Sequence, residues 1–305
     1  MKRFAALFLA IVLTFLLVAC GIEVTPLETD GTDKVPEQTQ TEGTNAEEKT
    51  PENETAFTEI VVVDNEECTI KITGIDPNDF WGYTLNVFME NKSKDTTYMF
   101  SVDNAFINGV QSDPFWASEV APGKKANSEI SFADSVLEEN GVGKFTDIEL
   151  IFSVSNSNDW DANDVANETI HVYPYGEDKA TTFVRDAQDT DNVLVDNEYV
   201  TVIVTGYEID ELFGYAANLF LVNKTDTSVM YSVDEVSVNG FMVDPFYATS
   251  VAPGKCAFSS IYWDYSTLED NGITEVEEIE FVLYAYDEMI LDRDYFVEEV
   301  FTLNP

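Results

Sequence analysis

The feature that most constrains this chain is that it contains itself twice. Val61-Val62-Val63-Asp64-Asn65-Glu66 matches Val193-Leu194-Val195-Asp196-Asn197-Glu198 at an offset of 132 residues, which also aligns Thr73-Gly74 with Thr205-Gly206, Gly82-Tyr83 with Gly214-Tyr215, and Asn91-Lys92 with Asn223-Lys224. One residue then drops out. At offset 131, Ser101-Val102-Asp103, Asn108-Gly109, Asp113-Pro114-Phe115 and Val120-Ala121-Pro122-Gly123-Lys124 meet their counterparts, and 14 of the 24 positions from Ser101 to Lys124 are identical. The register closes on Pro174 with Pro305. An internal period of this length, near that of an ordinary domain, predicts two domains of one fold rather than a solenoid of short units. With 45% hydrophobic and 13% aromatic residues, the chain can bury two cores.

Each copy reads as β-structure. Val200, Val202 and Val204 alternate with Thr201, Ile203 and Thr205, and Tyr83, Leu85, Val87 and Met89 alternate with Thr84, Asn86, Phe88 and Glu90, the period of a half-buried strand. Asn108-Gly109 and Asn239-Gly240 signal type I′ hairpins, because both residues tolerate positive φ. Pro122-Gly123 and Pro253-Gly254 have the order of a type II turn. One short helix per copy is expected, at 135–140 and 266–271, with a serine cap and a stop at Gly141 or Gly272. Seven or eight strands in roughly 115 residues predict an all-β fold, two tandem immunoglobulin-like β-sandwiches. The expected divisions are 58–176 for the first repeat, 177–191 for a linker and 192–305 for the second repeat.

Ahead of the repeats, Lys2 and Arg3 precede an apolar run from Phe4 to Ala19, and Cys20 follows. The run is shorter than the about 20 residues that span a bilayer, so it is expected to be a signal peptide, 1–19. Leu17-Val18-Ala19-Cys20-Gly21 resembles the lipobox of bacterial lipoproteins, which implies that Cys20 is lipidated and holds the chain at the outer face of the cytoplasmic membrane. Residues 20–57 are then a Thr- and Glu-rich tether, too poor in apolar residues to offset the entropy of ordering. A flexible coil of that length holds the first domain some 30 Å from the bilayer. The 58 acidic against 15 basic residues exclude nucleic acid as a partner, since binding it needs a positive surface to release counterions. Cys68 and Cys256 occupy non-equivalent positions of the repeats, so neither a close pair nor a duplicated disulfide is expected, which fits a Gram-positive source.

The lipobox, the acidic tether, and the Phe-Trp-Gly-Tyr, Glu-Asn-Lys, Asn-Gly, Asp-Pro-Phe and Ala-Pro-Gly-Lys elements together resemble uncharacterised immunoglobulin-like surface lipoproteins of Gram-positive bacteria. The resemblance covers the anchor and both repeats. It implies a location and a fold, and it carries no catalytic residues over.

Three kinds of site can be weighed on the residues. Catalysis has little to stand on: the only histidine, His171, has Thr302 as its counterpart in the other repeat, with no Ser or Cys nucleophile motif near it, so no enzymatic activity is expected. Calcium is the one cofactor considered, through the loop residues Asp159, Asp161, Asn163 and Asp164. Their alternation matches the start of a calcium loop, but Asp164 and Ile170 stand where an EF-hand needs Gly and Glu, so they are read as a plain polar hairpin loop and no cofactor is expected. The remaining candidates for ligand binding are aromatic: Trp81 and Trp116, with their counterparts Phe213 and Tyr247. Exposed, they would stack on a sugar or anchor a partner protein; buried, they are core. Phe80, Phe115 and Phe246 read as core. The expected function is a non-catalytic binding or adhesion module for an extracellular protein or peptide, with a glycan ligand or a plain envelope spacer as alternatives.

Overall fold

The computed structural model describes residues 57–305 except Trp160, 211–213, Phe246 and 290–294. Cys20, the signal peptide and the tether lie outside the described residues. The first repeat runs β1 (Ile60–Asp64), β2 (Cys68–Asp79), β3 (Gly82–Asn91), β4 (Tyr98–Ile107), β5 (Val110–Gln111), β6 (Ala117–Val120), β7 (Lys125–Phe132), α1 (Asp134–Glu139), β8 (Ile148–Asn156) and β9 (Ala166–Val172). The second runs β10 (Asn192–Asp196), β11 (Val200–Asp210), β12 (Gly214–Asn223), β13 (Val229–Val238), β14 (Phe241–Met242), β15 (Ala248–Val251), β16 (Cys256–Trp263), α2 (Tyr265–Asp270), β17 (Ile279–Asp287) and β18 (Tyr295–Leu303).

Both copies are β-sandwiches. In the first, one sheet has the order β1-β2-β3-β7 and the other β5-β4-β8-β9, with β6 also on β4; the second copy repeats this as β10-β11-β12-β16 and β14-β13-β17-β18, with β15 on β13. The β3–β7 pair in one sheet and the β4–β8–β9 set in the other follow the immunoglobulin arrangement, with β1 added beyond it. The alternation read from the sequence is realised: Leu85, Val87 and Met89, like Val200, Val202 and Val204, are buried between the sheets. Each sandwich has its own apolar cluster, one around Ile70, Leu85, Phe100 and Phe152, the other around Val202, Leu219, Tyr231 and Phe281.

The residues shared by the copies are those on which this fold depends. Asn91 and Asn223, the Asn of each Asn-Lys pair, are buried; Nδ2 of Asn91 donates to the carbonyls of Thr96 and Val120 (2.8 and 2.7 Å), and that of Asn223 to those of Thr227 and Val251 (2.7 and 2.8 Å) and, at 3.1 Å, Ala252. Their neighbours Lys92 and Lys224 reach back to Asp64 and Asp196 at 2.6 Å, which accounts for the Asp of each Asp-Asn-Glu element. Asn108 and Asn239 take φ of 52° and 49° with glycines at 87° and 79°, as a type I′ turn requires. Their side chains also knit the loop before the next strand: each Oδ1 accepts from two backbone amides, of Thr146 and Asp147 or of Glu277 and Glu278. Gly214, at φ 113°, lies so close to β16 that a Cβ would sit 2.1 Å from the carbonyl oxygen of Trp263, so no other residue fits. The helix ends where expected, with Gly141 and Gly272 in the left-handed region. The cap of α2 differs from expectation: Asp264, two residues before the predicted serine, accepts from the Thr267 amide.

The segment between the copies is not a free linker. After a 3₁₀ turn at Glu177–Lys179, the Phe183 amide donates to the Asn108 carbonyl at 2.8 Å, and its ring packs edge-on against Phe220 and Phe258 of the second sandwich. Arg185 forms a two-pronged pair with Asp191, both bonds 2.7 Å, and lies over the Phe220 ring. The sandwiches also touch directly. β16 runs parallel to β5, with Cys256 paired to Val110, so that one sheet continues from β12 and β16 of the second copy into β5, β4, β8 and β9 of the first. The Gln111 side chain donates to the Ser250 carbonyl (2.9 Å) and accepts from the Ala252 amide (3.2 Å). Lys255 pairs with Glu149 and stands over the Phe106 ring at 4.5 Å. Cys256 and Phe258 thereby pack against the core of the other repeat.

Candidate functional site

The candidate site is the exposed aromatic tip of the first sandwich. Asp79 pairs with Gly82 across β2 and β3, leaving Phe80 and Trp81 as the two residues of the turn. Neither can reach the core from there. Phe80 is 86% and Trp81 71% exposed, and their rings meet edge to face with centroids 5.0 Å apart. The turn is fixed by the Asp79 carboxylate, which accepts from the Trp81 amide at 2.9 Å. Two large rings are thus held in water on a tied backbone, a surface that loses little entropy when something stacks on it.

Phe115, on the loop between β5 and β6, is a further exposed ring outside that turn. It has φ of 48°, a strained conformation for a bulky residue, and its amide is held by the Asp113 carboxylate at 2.9 Å. That conformation turns the ring outward, 93% exposed, while the next residue turns in. The expectation that Phe80 and Phe115 belong to the core is therefore corrected: both face solvent.

The reverse correction applies to Trp116, which is only 8% exposed. Its Nε1 donates to Ser128 Oγ on β7 at 3.0 Å, bridging the two sheets, and its ring meets Phe152 edge-on. Tyr247 does the same in the second copy, its hydroxyl donating to Ser259 Oγ on β16 at 3.0 Å. These two candidates are core residues, and Trp81 and Trp116 do not share an exposed face. Phe213 and Phe246 lie outside the described residues.

The other candidates are not assembled. Asp159, Asp161, Asn163 and Asp164 are all exposed on the loop between β8 and β9, where Asp159 serves its own turn by accepting from the Asp161 amide. Among the described residues, no three acidic, His or Cys side chains converge on a point where a metal ion could sit. His171 lies on β9 with its Nδ1 2.7 Å from the Asp147 carboxylate and its ring stacked on Tyr173, with no nucleophile described beside it. Cys68 and Cys256 are free thiols, and burial pushes both up to about 11, so neither is a ready nucleophile. A cleft of about 300 Å³ lies where the joining segment meets both copies, lined by Gly141, Phe183, Arg185, Thr205 and Phe258 among others. Its one cation, Arg185, is already held by Asp191.

No protein-family model matches the sequence, and no curated protein matches it. Among solved structures, the exo-chitosanase of Amycolatopsis orientalis is similar over 79% of this chain and 27% of its own, at 11% identity and a TM-score of 0.23. Red sea bream transglutaminase is similar over 82% of this chain and 31% of its own, at 8% identity and a TM-score of 0.20. This chain spans less than a third of either protein, and likeness at these scores carries no argument about activity. Among the described residues, no helix is long and apolar enough to cross a membrane.

Proposed function

We propose that this chain is a non-catalytic surface module, lipid-anchored through Cys20, that contacts an extracellular protein or peptide through the aromatic tip of its first sandwich. The observation that carries this reading is the Phe80–Trp81 pair, two large rings kept in water on a hairpin turn tied down by Asp79. Aromatic anchors of this kind dominate binding energy when a partner dehydrates them. The acidic surface suits a neutral or cationic partner and opposes anionic ones. The joint between the copies supports a secondary role as a rigid spacer, because it fixes the tip at a constant distance from the second repeat.

The test is capture of envelope material on the immobilised full chain, with a glycan array as a second arm. A protein retained by the wild type and lost with Trp81→Ala supports the reading. Retention of glycans alone would replace the protein ligand with a sugar, and retention of nothing would leave the spacer.

A further inference from the structure

The joint inside the chain uses one edge of each sandwich and leaves the equivalent edge of the other copy open. In the first repeat, Val110 and Gln111 of β5 lie under β16 of the second. The same positions in the second repeat are Phe241 and Met242 of β14, which ends its sheet and stands 49% and 70% exposed. The complementary half is open too. β7 is the edge of its sheet, and its first residue, Lys125, is the counterpart of Cys256. The charges are duplicated with the edges: Lys255 pairs with Glu149 across the joint, and their counterparts Lys124 and Glu280 are both exposed, with no ion pair to either among the described residues.

We propose that the β14 edge of one molecule docks on the β7 edge of a second copy of this chain, repeating between molecules the joint that links the repeats within one. Phe241 of the first then lies beside Lys125 of the second, and Glu280 of the first faces Lys124 of the second. The contact is heterologous, so each molecule keeps one open edge, the pair offers one of each kind, and the array does not close at two copies. It is weaker than the internal joint. Met242 has no amide to reproduce the two bonds of Gln111, and Asn127 stands where Phe258 supplies an aromatic face. The net charge of −43 also drives copies apart at low ionic strength. Salt screens that long-range repulsion more than it screens a close pair, so association strengthens as salt rises to about 0.15 M, where the Debye length is about 8 Å.

The experiment is sedimentation velocity on the full chain in non-ionic detergent, as a concentration series at low and physiological salt. The expected result is a sedimentation coefficient that rises with concentration, does not level at a dimer, and rises further at the higher salt. Lys124→Glu and Glu280→Lys should each weaken association at least about tenfold, since like charges then meet at the contact. The chain carrying both reversals should recover it, and thermal melts should show all three variants folded, because both sites are exposed. A wild type without concentration dependence, a closed dimer, or association indifferent to the single reversals would overturn the proposal.

Discussion

Trp116 and Tyr247 show what a single residue does in this fold. They differ in size, yet both send a polar hydrogen across the sandwich to a serine on the facing sheet. Trp116→Ala should therefore cost about 3–5 kcal/mol in a urea titration, as a truncated core aromatic does, while Trp116→Tyr, which installs the solution of the other repeat, should cost about 1–2 kcal/mol. Phe80→Ala and Trp81→Ala should leave stability within about 0.5 kcal/mol, because neither ring is buried. At this scale the sequence was legible only in part. Phe115 and Trp116 lie on a loop, where no strand alternation says which of two adjacent rings turns inward. The positive φ of Phe115 decided which, and nothing in Asp-Pro-Phe announces a positive φ at a phenylalanine.

Elements were far more legible, because strand period and turn chemistry are local. The Asn-Gly and Pro-Gly turns, the alternating strands and the glycine helix stops all stand where the residues put them. β5 and β14, two residues each, are the short second arms of those Asn-Gly hairpins on β4 and β13; the pairing of β5 with β16 was not legible, since its partner lies in the other repeat. The cap of α2 was misplaced for a different reason. Ser266 and Thr267 both bond to Asp264, and a serine beside an acid can be the donor to the cap rather than the cap. Those two hydroxyls, with the Thr267 amide, hold the Asp264 carboxyl at about 2, below the usual 3.8. A depressed carboxylate stabilises the fold above its unfolded value and ceases to do so as pH falls through its folded one. The stability that Asp264 confers is thus present above about pH 4 and lost toward pH 2. Asp264→Asn should flatten the acid limb of stability in that window, measured as urea midpoints across a pH series; an unchanged limb would show that the cap does not act through its charge.

The whole molecule holds what the sequence could not show. Two copies of one fold suggested independent units on a polar linker, yet Phe183, Phe220 and Phe258 form an aromatic seam, and a sheet runs across the joint. The second repeat cut out as 192–305 keeps its own apolar cluster, so it should fold. It should nonetheless melt below the second repeat of the intact chain, because Cys256 and Phe258 lose the core they pack against. Calorimetry of the fragment beside the full chain checks this, and equal melting temperatures would show that the joint contributes nothing to stability. The identities between the repeats are largely absorbed by this architecture, in buried asparagines, turns and glycines. The first copy's hairpin tip stands apart, with Phe80 and Trp81 where the other copy has Leu212 and Phe213. That is why the functional reading rests on the tip. Its most direct test is equilibrium binding of the full chain to the envelope protein it captures, for wild type, for Trp81→Ala and for Trp116→Tyr as a core control. The expected result is a loss of about 1–3 kcal/mol confined to Trp81→Ala, with melting temperature unchanged; equal affinity for wild type and Trp81→Ala would contradict it.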